Sequence, residues 1–324
     1  MTITATSGTG TQQLSLSSST GAPSSGNGGT TDPSPGTYIY SQGDSVSVEA
    51  LPNMDYRFSN WNGDVNNIDS FDKQITINLD KDKSLIAYFC TRCGDVNGDL
   101  KVTASDAQDA FDIFLGRLSN PTQCESENAD VSCNNKITPG DAQAIFNKFL
   151  KKGDLPTDCS GKTRAQKATC LSIQTEELPI THLIVEDAQI NSDGYVFVSI
   201  IVNNSMGIDA FGFDLQYPSE IFEFITHEVT AFLKDFIQVE ANHLGNGVLR
   251  VGGYSTTPAT IDSPEVLLTL VFRAKEEIHG PLLFLITNAY DDIKNAIVKN
   301  GIVSNQIEYE QNLIDSYKFE KKIR

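Results

Sequence analysis

Positive charge is scarce in this chain: 24 Lys and Arg stand against 42 Asp and Glu in 324 residues, a net charge of −18. Phosphate backbones are bound by clustered cations, so this balance argues against a nucleic-acid partner and points to a solvated surface or a cation site. No run approaches the roughly 18 apolar residues that span a bilayer. The residues after Met1 also lack the basic and apolar regions of a secretion signal, so the chain is expected to be a fragment or mis-started. Residues 1–31 contain no charge and are mostly Ser, Thr and Gly, which predicts a flexible linker that cannot bury enough apolar surface to order itself. No spaced Ser/His/Asp set and no metal-hydrolase motif is present, so catalysis is not expected. The length suits two or three small domains.

All six cysteines, Cys90, Cys93, Cys124, Cys133, Cys159 and Cys170, fall in one stretch of the chain. None of the four histidines (His182, His227, His243, His279) lies there, and Cys90 and Cys93 form the only CxxC, so zinc is the weaker reading and disulfides the stronger. Disulfides imply an oxidising, extracellular or cell-surface setting. The pairing stays open.

From residue 32 to 90 the pattern is strand-like, with alternation in Ser45–Ala50, Gln74–Leu79 and Leu85–Phe89. The series Gly43-Asp44-Ser45-Val46, Ala50-Leu51-Pro52, Tyr56-Arg57-Phe58, Trp61-Asn62-Gly63-Asp64 and Ala87-Tyr88-Phe89 resembles the divergent B-repeat modules of bacterial surface proteins. The resemblance implies a small β spacer with Trp61 as a core residue rather than a sugar platform.

The segment 91–160 holds an internal repeat, in which Asp95–Gln108 aligns with Asp130–Gln143, 35 positions on. A hard cation takes oxygens from positions 1, 3, 5, 7, 9 and 12 of an EF-hand-like loop. In the first copy these are Asp95, Asn97, Asp99, the Lys101 carbonyl, Thr103 and Asp106, and in the second Asp130, Ser132, Asn134, the Lys136 carbonyl, Thr138 and Asp141. Two such loops in register predict two Ca2+ ions, the first site, with three carboxylates, being the tighter. The sharp turn at position 6 usually needs Gly, and Leu100 and Asn135 stand there instead; a left-handed Leu costs about 1–2 kcal/mol. Each loop leads into a helix, and Phe111, Phe114, Leu115 and Phe146, Phe149, Leu150 form two apolar stripes expected to pack on each other.

The Gly94-Asp95-Val96-Asn97-Gly98-Asp99 run, the Asp at position 12 and the Asp-Ala-Gln helix start closely resemble dockerin. The resemblance implies a helix surface that docks on the cohesin of another protein in a cellulosome-like assembly. Ala104-Ser105 and Pro139-Gly140 would read the partner, with Phe111, Arg117, Lys148 and Lys151 on the same surface. These residues are expected to be mismatched to the chain's own C-terminal domain, which would leave a calcium-loaded monomer.

After a linker at 161–178, residues 179–306 read as short strands, Tyr195–Val202, Ala210–Tyr217, Gly247–Val251 and Val266–Phe272 among them. This predicts a jelly-roll-like β-sandwich within a multidomain, mainly β chain. Val198–Asn204, Gly207–Pro218, Gly247–Gly253 and Leu268–Phe272 look like cohesin, which implies a sheet face offered to a dockerin. The competing reading is a carbohydrate-binding module, with Tyr195, Tyr217, Tyr254 and Tyr290 as candidate sugar platforms. The 307–324 tail carries no functional expectation.

Overall fold

The computed structural model describes residues 11–20, 28–65, 70–156, 159, 181–203, 207–259 and 264–305. They form two compact units, one of Met1–Ala110, Asn120–Ile137 and Ala144–Thr175, the other of Phe111–Ser119, Thr138–Gln143 and Glu176–Arg324. The 161–178 linker, Cys170 and the 307–324 tail lie outside the described residues. Among the described residues no helix is long and apolar enough to cross a membrane.

Among the described residues the first unit carries seven strands: β1 Thr11–Thr20, β2 Gly29–Asp32, β3 Gly36–Ser41, β4 Ser45–Pro52, β5 Tyr56–Gly63, β6 Gln74–Asn78 and β7 Lys83–Thr91. They pair in the orders β3-β1-β7-β5 and β2-β4-β6. Alternation along each strand sends Leu14, Leu16, Val48, Ala50, Ile75, Ile77, Leu85, Ala87 and Phe89 into one core. Trp61 is buried in that core, and its Nε1 donates to the Asp72 carbonyl at 3.0 Å.

The charge-free N-terminus departs from its reading as a linker through residue 31. Thr11–Thr20 pairs antiparallel with β3 and parallel with β7, and β2 begins at Gly29. Leu14 and Leu16, set two apart, turn to the core while Ser15 and Ser17 alternate with them on the other face. A strand flanked on both sides has its amides and carbonyls satisfied, so two leucines suffice to seat it. Residues 1–10 and 21–27 lie outside the described residues.

The described residues then form α1 Ala104–Leu115, α2 Gln123–Ala129 and α3 Pro139–Phe149, with the boundary between the units passing through α1 and α3. The repeat foretold α1 and α3; α2 is an insertion between the copies. Thr122 caps it, taking a hydrogen bond from the Glu125 amide while the Glu125 side chain accepts from the Thr122 amide, a reciprocal box visible as Thr-x-x-Glu. Two disulfides tie this region together, Cys90–Cys124 and Cys93–Cys159, so the CxxC is divided between separate bridges. Cys133 is disulfide-bonded as well.

The expected boundary at residues 90 and 91 therefore falls inside one unit. Arg57 of β5 donates to Glu127 Oε2 and Asn128 Oδ1 of α2, each at 2.9 Å, with both charges buried. Ser59 and Gln123 also donate to Glu127, and Asn128 donates to Thr91 and to the Asp95 carbonyl. A helix too short to hold itself is kept in place by polar bonds and a disulfide to the β module.

The second unit carries β8 His182–Val185, β9 Ala188–Ile190, β10 Tyr195–Asn203, β11 Ile208–Gln216, β12 Phe222–Val229, β13 Gln238–Gly245, β14 Val248–Ala259, β15 Glu265–Ala274, β16 Leu282–Asp291, β17 Ile297–Lys299 and β18 Gly301–Asn305. These make a five-stranded sheet, β12-β15-β10-β8-β17, and a six-stranded sheet, β13-β14-β11-β16-β18-β9. Val196, Val198, Ile200, Leu268, Leu270 and Phe272 of one sheet meet Phe211, Phe213, Leu215, Leu249 and Val251 of the other in a single core. Tyr217 belongs to that core, stacked among Phe272 and Phe284, and is no sugar platform.

Removing one partner of the Arg57–Glu127 pair leaves a buried charge uncompensated. Glu127→Ala is expected to destabilise the first unit by about 3–5 kcal/mol, while Arg57→Met with Glu127→Met should be far milder. Urea unfolding with the disulfides intact measures both; equal losses in the two variants would disprove the account.

Candidate calcium loops and docking face

The first loop, residues 95–106, lies wholly in the first unit. Asp95 and Asp106, its first and twelfth positions, are fully buried. Asp95 accepts from the amides of Asp99 at 3.0 Å and Leu100 at 2.9 Å. Asn97 Oδ1 accepts from Asp99 N and Asp99 Oδ1 from Lys101 N, drawing both side chains inward along the loop. Asp106 takes the amides of Val96 and Asn97 on one oxygen, and the amide and hydroxyl of Thr103 on the other.

The second loop repeats this bonding. Asp130 accepts from the amides of Asn134 and Asn135, Asn134 Oδ1 from Lys136 N, and Asp141 from the amide and hydroxyl of Thr138. Ser132 donates to Asp130. The backbone repeats too: position 4 is left-handed in both copies, at Gly98 (φ 74°) and Cys133 (φ 56°), and so is position 6, at Leu100 (φ 72°) and Asn135 (φ 62°). Leu100 thus adopts the strained turn that its position demands.

Burial, with the charges of Asp106 and Asp99 added, pushes the Asp95 carboxyl up to about 6. Burial likewise raises Asp130. Carboxylates packed this way suit a cation that would relieve their repulsion. Among the described residues no group of three or more His, Cys, Asp or Glu side chains stands at metal-holding spacing. The donor set instead mixes carboxylate, amide, hydroxyl and carbonyl oxygens, which fits calcium better than a softer ion.

The apolar stripes of α1 and α3 do not simply pack on each other. Phe111 and Phe114 lie stacked on the outer face of the six-stranded sheet, within the second unit. Phe111 meets Tyr254 edge-on and Phe114 meets Tyr290 edge-on, at centroid distances of 5.3 and 5.5 Å. Phe149 and Leu150 are exposed. The sheet is shaped for the rings: a Cβ on Gly212 would stand 2.7 Å from Phe114, and one on Gly252 would stand 2.6 Å from Phe114 and 3.0 Å from Pro139. Glycine inside a strand marks close approach of another surface, and here it floors a hollow two rings deep. The two tyrosines proposed as sugar platforms on this face, Tyr254 and Tyr290, are covered, while Tyr195 lies beside Arg273.

Polar contacts rim the hollow. The last carbonyls of a helix lack intrahelical partners and attract cations. Arg250 donates to the Phe114 carbonyl at 3.0 Å and Asn242 to that of Leu115 at 2.9 Å, beside Gly116, whose φ of +74° ends α1. Arg250 is aimed by a two-pronged pair with Asp214 at 2.7 and 2.9 Å. Burial pushes Asp214 up, but Arg250, Tyr290 and Asn288 outweigh it and hold the carboxyl below its ordinary value. Arg117 pairs with Glu240 at 2.8 Å, the Gly140 amide at the start of α3 donates to Asp291, and Gln143 donates to the Ser255 carbonyl at 2.7 Å.

Of the residues expected to read a partner, Phe111, Arg117, Pro139 and Gly140 therefore contact this chain's own sheet. That corrects the expected mismatch, since Arg117 meets an acid there and the aromatic pair meets bare backbone. Ala104, Ser105 and Lys151 are exposed in the first unit, and Lys148 pairs with Asp154. Arg250, Asp214, Asn242 and Gln143 were not foreseen. The Gly252-Gly253 doublet inside a strand, and a lone Arg among Val248, Leu249 and Val251, were the signals available.

Two acids in this unit carry a pH dependence. Burial and then the Asp292 charge push Asp209 up to about 6, and burial pushes Asp291 up to about 6. A raised folded value favours the protonated form, so the stability each contributes is present below the unfolded value near 3.8 and lost as pH rises through about 6. Asp209→Asn is expected to raise the thermal midpoint at pH 7.5 and to change it little at pH 4; an equal shift at both would contradict this assignment.

Residues 18–92 match the family model described as the divergent InlB B-repeat domain. No curated protein matches the chain. Several solved cohesins are similar to part of the chain. The sixth cohesin of Acetivibrio cellulolyticus scaffoldin B, crystallised with a Cel5 dockerin mutant, is 18% identical and covers 40% of this chain and 100% of its own, with a TM-score of 0.35. A non-cellulosomal cohesin from the hyperthermophilic archaeon Archaeoglobus fulgidus is 15% identical over 41% of this chain and 96% of its own, at 0.35. The seventh ScaB type I cohesin of Pseudobacteroides cellulosolvens is 19% identical over 39% and 92%, at 0.32. Likenesses of this size say what part of the chain is similar to and nothing of its activity.

Proposed function

We propose that this chain is a non-catalytic, calcium-dependent assembly protein of the extracellular or cell surface, built around recognition between helix ends and a cohesin-like sandwich face. The glycine-floored hollow that receives Phe111 and Phe114 carries this reading. A sheet face whose glycines leave no room for a Cβ, which would stand within 2.7 Å of the Phe114 ring, is matched to a helix surface, not to a flat glycan. Loops 95–106 and 130–141 each take one Ca2+, with the twelve oxygen donors named above. Calcium neutralises their buried carboxylates and so sets the helix starts within them, at Ala104 and Pro139. The disulfides support an oxidising compartment. A polysaccharide-binding role gains no support from the four tyrosines, since none lies with another on an open flat face.

Binding to the folded state alone makes calcium a stabiliser. At roughly a hundred times its dissociation constant it should add about 2.7 kcal/mol per site. Thermal melts in calcium and in chelator, with calorimetric titration, measure this. Two ions should bind, and Asp99→Ala should weaken the first site while sparing the second. An identical melt with and without calcium would refute the reading.

A further inference from the structure

Both halves of the recognition surface belong to one chain, and they are complementary in shape, charge and hydrogen bonding. Strand β11 shows the extent of the fit. Phe211, Phe213 and Leu215 point into the sandwich core, yet Ala210, Gly212 and Asp214, facing the other way, are buried as well. A strand in a two-sheet sandwich ordinarily shows one face to water. Here the second face is covered by Phe111, Phe114 and Pro139.

We propose that the β13-β14-β11-β16 face is a receptor for helix ends of this composition, that the chain fills it with its own, and that a second copy of the chain is the partner able to fill it in trans. This rests on the reading of the helix ends as the recognition element. The requirements are an aromatic pair spaced i, i+3, free helix carbonyls for Arg250 and Asn242, a cation for Glu240 and a helix start for Asp291. A second copy presents every one of them. Its charge of −18 does not forbid approach. At physiological salt, exposed charges are screened beyond about 8 Å, whereas the Arg117–Glu240 pair acts in contact. Covalent connection gives the internal pairing an effective concentration in the millimolar range, so the intact chain stays closed and monomeric, and exchange between copies appears when the internal pairing is disabled.

Two full-length variants separate donor from acceptor. Phe114→Ala with Arg117→Glu removes the helix-side ring and reverses its charge but leaves the sheet face whole. Gly252→Val fills the hollow with a residue suited to a strand and leaves the helix ends whole. Each variant in millimolar calcium is expected to be a monomer by light scattering. Their equimolar mixture should contain a species of twice the monomer mass, because the helix ends of one meet the open face of the other. Gly212→Val is an independent second acceptor variant, and circular dichroism confirms that each variant is folded. Absence of the heterodimer with folded variants, or its formation between two copies of the same variant, would overturn the proposal. Repeating the mixture in chelator separates this from the calcium reading. Loss of the heterodimer supports both, while its persistence supports the pairing and shows that calcium is not what sets the helices.

Discussion

The second unit depends on bare backbone at Gly212 and Gly252. Any side chain at either position would overlap Phe114, and at Gly252 it would also crowd Pro139. With the hollow present, the rings bring the end of α1 close enough for Arg250 and Asn242 to satisfy its last carbonyls. Asp214 then holds Arg250 in place, and Tyr290 serves both as ring partner to Phe114 and as hydrogen-bond donor to Asp214. Apolar contact supplies the driving force, and the polar rim fixes which helix residues lie where.

The first unit solves a different problem, that of holding short, acidic loops in place. Its answer is attachment to the neighbouring β module. The Cys90–Cys124 bridge and the buried Arg57–Glu127 pair anchor α2, and Asn128 reaches from that helix to the Asp95 carbonyl at the head of the first loop. The first loop is thus joined to a module that alone would read as a spacer. A buried ion pair adds little net stability over an apolar pair of similar size, but it tolerates only one arrangement of its partners.

Much of the site was legible where chemistry follows from residue type and spacing along the chain. The matching loop hydrogen bonds, the left-handed turn demanded of Leu100 and Asn135, and the helices α1 and α3 follow from a repeat aligned with itself. Strands with clean alternation, such as Ser45–Ala50 and Ala210–Tyr217, were readable because the pleat sorts side chains every second residue. The serine-rich Thr11–Thr20 strand was missed, since composition suggested disorder and its neighbours β3 and β7 are distant in sequence.

What the sequence determined by itself, then, was local: paired Asp side chains eleven residues apart in each loop, helix stripes and strand periods, each set by covalent geometry within a few residues. What only the tertiary structure decided was which surface meets which. Phe111 and Phe114 have the same spacing whether they face another helix or a sheet. The choice is made by Gly212 and Gly252, roughly a hundred or more positions away, whose missing side chains matter only when the folded sheet places them beneath the rings. The same holds for Arg57 and Glu127, 70 residues apart, where neither charge carries any local mark of its partner and burial alone makes the pairing obligatory.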